Sequence, residues 1–240
     1  KTITSALEQS YDNIEICVHD DGSSDGSLQL VRTLFGENAK IYISSSENSG
    51  IGSASNQAIR LGTGKLILQL DSDDVLDPKA VESLVHQFME TPSSVCCYGN
   101  FTRMTVDGNL IDEGWEHPIY SRERLMRSMI IHPPRMFRRD AFEMAGGFDE
   151  KLVNAVDYEF FLRLSLIGPM THLRKKLYSY RIHDTSTSQA KTNQQDANTI
   201  LVLEKMLDKI GVGKRFTPIA PNPDFPRRIH YRLKWAIQPL

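Results

Sequence analysis

Within its first 92 residues the chain alternates short apolar runs with stretches of helical spacing, and the apolar runs end in polar or acidic residues. Residues 14–19 read as a strand that leads into Asp20-Asp21-Gly22-Ser23-Ser24-Asp25-Gly26. Helical spacing follows over 27–35, with Leu28, Leu30, Val31 and Leu34 apolar. Residues 40–44 predict a second strand, Asn48-Ser49-Gly50 a turn, and 53–61 a small-residue helix stopped by Gly62. A third strand over 65–70 runs straight into Asp71-Ser72-Asp73-Asp74. Asp77-Pro78 then opens a helix to about residue 90, with Asp as N-cap and Pro in the first turn. Such alternation predicts an α/β domain, a mostly parallel sheet with helices on both faces.

Beyond Pro92 the pattern loosens. It predicts a strand over 95–104, a hairpin turn at 106–110, and a helix over 121–131 broken by Pro133-Pro134. A short helix over 139–145 closes at Gly146-Gly147, and a stronger one spans 156–167. Two short strands near 171–173 and 177–180 precede a polar loop and an amphipathic helix over 193–210. The tail carries prolines and then Arg227, Arg228, Arg232 and Lys234.

The charge balance, 28 basic against 30 acidic residues, supplies no strongly basic face, so nucleic acid is not an expected partner. No apolar run approaches the roughly 20 residues that span a bilayer. Cys17, Cys96 and Cys97 show no CxxC spacing, which favours a reducing, cytoplasmic compartment. The basic tail suits a partner domain, an acidic polysaccharide or the inner membrane face, giving a peripheral position as a second expectation; a plainly solvated tail is the simpler reading.

The acidic loops carry the chemistry. Carboxylates crowded at a strand's C-terminal end repel one another, and a hard divalent cation relieves that repulsion. Asp71-Ser72-Asp73 sits at such an end, where ligands of open α/β sheets bind. Asp73 is the favoured metal ligand, with Asp71 beside it on ribose or metal-bound water; a solvated helix-capping turn is the alternative. Asp20 and Asp21 can accept from a base N–H or a ribose hydroxyl, and Gly22 lets the backbone approach. Capping the next helix needs only Asp25.

Taken in order, the Asp20-Asp21-Gly22-Ser23 loop, Asn48-Ser49-Gly50-Ile51-Gly52-Ser53-Ala54-Ser55-Asn56 and Leu70-Asp71-Ser72-Asp73-Asp74 resemble the family 2 inverting glycosyltransferases of the GT-A fold. Gly146-Gly147-Phe148-Asp149-Glu150, Asn154-Ala155-Val156-Asp157-Tyr158-Glu159 and Tyr180-Arg181-Ile182-His183 continue the likeness. Within that family it is nearest the catalytic domains of bacterial hyaluronan- and chondroitin-type polysaccharide polymerases, and it covers about residues 1 to 190. The resemblance implies a Rossmann-like GT-A domain over 1–190, with a nucleotide-binding half (1–92) and an acceptor-binding half (93–190), followed by the helix and tail of 191–240. It implies a UDP-sugar donor, a glycan acceptor, and Mn²⁺ or Mg²⁺ held by Asp73 and His183. Asp157 is the implied general base, taking the acceptor proton during inversion. The nucleotide contacts it implies are Asp20, Asp21, Asn48, Lys65, Asp71 and Ser72. Trp115, His132 and Arg135 are expected on the acceptor side, and Arg135, Arg138 or Arg181 would meet a hexuronate carboxylate. A loop over 184–192 is expected to close over the diphosphate. Relatives open with a strand that this sequence lacks before Lys1, so the first strand of the sheet is expected to be absent and the chain to be a piece of a longer polypeptide.

The expected function is transfer, with inversion, of a hexose, N-acetylhexosamine or hexuronate in extracellular or capsular polysaccharide synthesis. A sugar-nucleotide nucleotidyltransferase would need a Gly-rich basic phosphate loop, which is not visible. A non-catalytic nucleotide- or glycan-binding module would bind UDP without turnover.

Overall fold

The computed structural model describes residues 1–114, 119–183, 192–219 and 229–233. After α1 (Thr2–Leu7), the strands β1 (Ile16–Asp21) and β2 (Ile41–Ser46) pair in parallel, connected through α2 (Ser27–Phe35) and followed by α3 (Ile51–Leu61). A larger mixed sheet contains β3 (Leu66–Gln69), β4 (Val75–Leu76), β5 (Cys96–Met104), β6 (Leu110–Asp112), β7 (Arg135–Arg138) and β8 (Met170–Arg181). Its order is β3-β7-β5-β8-β4, with β6 added to β5. Helices α4 (Ala80–Glu90), α5 (Arg122–Arg127), α6 (Arg139–Ala145), α7 (Val156–Leu164) and α8 (Thr192–Lys209) surround it, and β9 (Phe216–Ile219) pairs antiparallel with β10 (His230–Leu233). The α/β architecture is the expected one, but the larger sheet is mixed rather than mostly parallel, because only β5–β8 pair in parallel within it.

Strand direction determines which residues meet. β3 is antiparallel to β7, β7 is antiparallel to β5, and β5 is parallel to β8. β3, β5 and β8 therefore run the same way, and the C-terminal ends of β3 and β8 share one end of the sheet. Among the described residues β1 pairs only with β2, and β3 only with β7. All residues of both strands are half-buried, on either face of the pleat. Among the described residues the β1–β2 pair and the larger sheet are thus not joined by strand pairing.

Strands β4, β9 and β10 are not among the expected elements, and β8 and β7 differ in ways that bear on the site. The exposed run Arg174-Lys175-Lys176 reads as a break, yet β8 passes through it as one strand because the β5–β8 register shifts around Asn100. At 135–138 the prolines suggest only a loop, but pairing with β3 on one side and β5 on the other makes a strand. Four residues carry too little alternation to announce it.

One core cluster centres on Phe137, Phe142, Phe148, Phe160 and Phe161, with ring centroids 4.5 to 6.4 Å apart. Edge and tilted aromatic contacts of this kind contribute about 1 kcal/mol each beyond area burial. Val202, Leu203, Met206 and Leu207 of α8 are buried in the same cluster, so this helix shares the core built on α6 and α7. A second cluster packs Leu84 and Phe88 of α4 against Leu76, Phe101 and Tyr178. No helix among the described residues is long and apolar enough to cross a membrane. The tail segments 220–228 and 234–240 and the loop 184–191 lie outside the described residues.

Buried Asn56 of α3 joins this helix to the loop at 148–150. Its Nδ2 donates to the Phe148 carbonyl (3.0 Å) and Glu150 Oε1 (2.8 Å), and its Oδ1 accepts the Phe148 N–H (2.9 Å). Asn56→Ala leaves the Phe148 peptide groups unpaired and is expected to cost about 2 kcal/mol of stability. A urea titration checks this: the midpoint should fall at constant slope, and an unmoved midpoint would mean that Asn56 does not hold the 148–150 loop.

Candidate active site

The apolar strand β3 delivers four consecutive residues, Asp71 to Asp74, to the end of the sheet shared with β8. The Asp71 N–H donates to the Tyr178 hydroxyl (3.2 Å). Burial pushes the Asp71 carboxyl up, Arg135 pulls it back, and the neighbouring Asp157 and Asp73 add to the rise. Ser72 is exposed, and its carbonyl accepts the Thr2 hydroxyl (3.0 Å). Asp74 is fully buried; desolvation raises it to about 7, although the Arg181 N–H donates to its Oδ1 (2.7 Å).

Asp73 and His183 meet as the resemblance implies. Asp73 Oδ2 lies 2.7 Å from His183 Nε2, and the side chains keep 42% and 28% of their surface. A carboxylate oxygen with an imidazole nitrogen suits Mn²⁺. Among the described residues no cluster of three His, Cys, Asp or Glu side chains forms a metal cage. Asp73 and His183 supply two donors, so a cation held by them would need its other ligands from phosphate oxygens and water.

Asp157 occupies the first turn of α7, preceded by Ala155 in left-handed conformation at φ 55°. Arg135 Nη1 donates to Asp157 Oδ2 at 2.9 Å, and the Tyr158 N–H donates to Oδ1 at 2.8 Å. Burial alone would raise this carboxyl. The Arg135 guanidinium outweighs burial, His132 helps, and the group is held below its ordinary value. Asp157 is 41% exposed and so reachable by a substrate hydroxyl. It is held in the charged form that a general base would need.

Arg135 requires a correction. It was expected on the acceptor side, but its side chain is 6% exposed and committed internally. Nε donates to Gln69 Oε1 (3.1 Å), Nη1 reaches the Ile131 carbonyl (3.3 Å), and the guanidinium lies 5.3 Å over the Phe161 ring. Gln69 and Arg135 are register partners across β3 and β7, so strand pairing itself sets the contact. Gln69 was not anticipated; its only signal is an amide among apolar residues, two positions before Asp71. His132 sits close enough to act on Asp157, with Nε2 2.8 Å from the Met129 carbonyl.

On the nucleotide side, the loops after β1 and β2 touch. A Cβ at Gly22, whose φ is +77°, would lie 2.8 Å from Asn48 N, so glycine is required there. Asp21 accepts from Ser49 N–H (2.8 Å), Ser49 Oγ (3.1 Å) and Gly50 N–H (3.0 Å), while Asn48 Nδ2 donates to the Asp21 carbonyl (3.0 Å). Asp21 and Asn48 thus shape the mouth of α3. Asp20 is bound locally by the Ser23 N–H (3.1 Å), and hydrogen bonding to Ser23 holds its carboxyl down.

Lys65 also requires correction. It precedes β3, whereas Asp71 follows it, and at about 3.3 Å per residue the strand separates them by roughly 20 Å. Arg138 pairs in register with Leu66 at that same far end and donates to the Ser94 and Pro92 carbonyls. Arg181 spends its guanidinium on the Asp73, Thr105 and Val106 carbonyls. All the arginines considered for a hexuronate carboxylate are therefore engaged within the fold. Trp115 lies outside the described residues.

Comparison with known proteins places this geometry in a family. The family model described as "Glycosyl transferase family 2" matches residues 1–145. The chain is 40% identical over 220 residues to a chondroitin synthase of Escherichia coli, covering 91% of this chain and 32% of the relative. It is 40% identical over 212 residues to a hyaluronan synthase of Pasteurella multocida, covering 88% of this chain and 22% of the relative. The chain thus spans a third or less of the length of these relatives. Among solved structures, S. aureus TarS 1-349 in complex with UDP-GlcNAc matches with a TM-score of 0.69 at 17% identity, over 86% of this chain and 61% of that one. The complex of the same protein with UDP matches at a TM-score of 0.66 and 18% identity, over 86% and 60%. These likenesses show the fold. With its strand-end carboxylates and the match over residues 1–145, the chain belongs to glycosyl transferase family 2.

Proposed function

We propose that this domain transfers a sugar from a UDP-sugar to a glycan hydroxyl with inversion, in the synthesis of an extracellular or capsular polysaccharide. The observation that carries the reading is the Asp157–Arg135 pair, an ionised and reachable carboxylate at the same end of the sheet as the Asp73–His183 pair. The relatives named chondroitin and hyaluronan synthase, and the neighbour bound to UDP-GlcNAc, support the substrate class.

Asp73 and His183 would hold Mn²⁺ or Mg²⁺. Such an ion, when bound, neutralises charge on the departing diphosphate. Asp20 contacts the nucleotide, with Asp71 and Ser72 lining the pocket and Asp21 and Asn48 keeping its loops together. Asp157 Oδ accepts the proton of the acceptor hydroxyl as that oxygen attacks the sugar carbon from the face opposite the leaving group. Arg135 keeps the carboxylate charged and aimed. His132, beside Asp157, and Trp115 form the acceptor side. The basic tail docks on a partner domain or on the membrane face, and the protein works in the cytoplasm.

Asp157→Asn is expected to retain UDP binding by calorimetry while transfer, followed by UDP release, falls by at least about a hundredfold. Full activity in that variant would remove Asp157 as the base, and a wild-type protein that binds UDP without turning over any UDP-sugar would favour a binding module.

The acid limb of kcat/KM gives a second test. The base must be deprotonated, and Arg135 lowers its pKa, so activity should persist below the ordinary aspartate range. Arg135→Gln removes the cation and leaves burial to dominate. The limb should then move to higher pH, and an unmoved limb would show that Arg135 does not act on the base.

A further inference from the structure

Asp73 and His183 are 110 positions apart in sequence, and His183 stands two residues beyond the end of β8. Something must hold the two segments at a fixed separation. Asp74 and Arg181, the neighbours of this pair, are both buried, and they cross. The Asp74 carboxylate, through Oδ1, accepts the backbone N–H of Arg181 at 2.7 Å. The Arg181 guanidinium, through Nε, donates to the backbone carbonyl of Asp73 at 2.6 Å. Each side chain thus binds the other segment's main chain. Arg181 Nη1 further donates to the Val106 (2.5 Å) and Thr105 (3.1 Å) carbonyls in the β5–β6 turn. The Ile182 N–H donates to the Met104 carbonyl at 2.9 Å.

These are costly choices for a fold that needed only packing. Arg181 makes no ion pair among the described residues, so backbone carbonyls alone satisfy a buried cation. Asp74 is fully buried, and beyond the Arg181 N–H the Tyr178 hydroxyl is its other hydrogen-bonding neighbour. Hydrogen bonds of this kind lock the rotamers and backbone of the residues beside them, which is how a supporting shell holds a site's geometry. The segment they order is the one that carries the two cation-ligand candidates.

We propose that Asp74 and Arg181 are positioning residues: a reciprocal latch that fixes the distance and orientation between Asp73 and His183 and so sets affinity for the divalent cation. The inference rests on the reading of Asp73 and His183 as ligands. The latch also joins the cation pair to the 105–106 turn, so three segments distant in sequence move as one.

The test is Mn²⁺ binding in the presence of UDP, read by electron paramagnetic resonance on the full-length protein. Loss of a residue that orients a ligand typically weakens metal binding about 10- to 100-fold. Asp74→Ala and Arg181→Lys are expected to weaken Mn²⁺ by at least about tenfold, whereas Asp74→Asn, which keeps an oxygen for the Arg181 N–H, recovers most of the affinity. Asn56→Ala, destabilised at a distance from the site, should keep wild-type Mn²⁺ affinity, separating positioning from general loss of stability. Arg181→Lys tests the latch from its other side if Asp74→Ala does not fold. Wild-type affinity in a folded Asp74→Ala or Arg181→Lys protein would overturn the proposal. Mn²⁺ binding that survives Asp73→Ala unchanged would overturn the ligand reading itself, and the latch with it.

Discussion

A guanidinium buried beside converging carboxylates is the interaction on which the candidate site depends. Asp71 and Asp157 both act on Arg135, and together they keep it charged against the cost of burial. Without a cation between them, two carboxylates in a poorly hydrated crevice would share a proton, and the base would be lost to the neutral form. The pairing of β3 with β7 makes the arrangement possible, because register sets Arg135 opposite Gln69 just before the acidic loop. The Phe161 ring beneath the guanidinium ties this pair to the aromatic core. Core, sheet register and electrostatics therefore converge on one residue.

Much of this was readable in the sequence, for identifiable reasons. The strands ending in Asp20-Asp21 and Asp71-Ser72-Asp73 stood out because an apolar run that stops in carboxylates is both a structural and a chemical signal. Asp157 and His183 were marked by the ordered series of motifs, and the fold brings each to a suitable partner, Arg135 and Asp73. What escaped was everything set by strand register. No local pattern reveals that 135–138 is a strand, so Arg135 looked like an exposed loop residue and Gln69 like filler. Lys65 was misjudged for a related reason: a strand separates its two ends, and a residue only six positions from Asp71 belongs to the far side of the sheet. The double aspartate at 20 and 21 hid a division of labour, since only a folded loop shows Asp21 bonded to Ser49 and Gly50.

A common design links these details. Side chains beside the chemistry are bonded to backbone: Asp21 to the start of α3, Arg181 to three carbonyls, Asp74 to the Arg181 N–H. Residues assigned to substrate, by contrast, keep exposed surface, as do Asp73, Asp157 and His183. Rigid supports around accessible reactive groups are what orientation-dependent catalysis requires. The separation of β1 from β3 fits the same picture, for the nucleotide-side loops and the acidic loop approach from two sheets, and α3 with its Asn56 bridge spans both.

The central claim is that Arg135 keeps the half-buried Asp157 carboxyl ionised. Carboxyl ¹³C NMR of aspartate-labelled protein, with the Asp157 signal identified by its absence in Asp157→Asn, measures this directly. A titration midpoint below that of an ordinary aspartate is the expected result. A midpoint at or above the ordinary value would mean that burial outweighs the ion pair, and would contradict the assignment of Asp157 as a base held ready by Arg135.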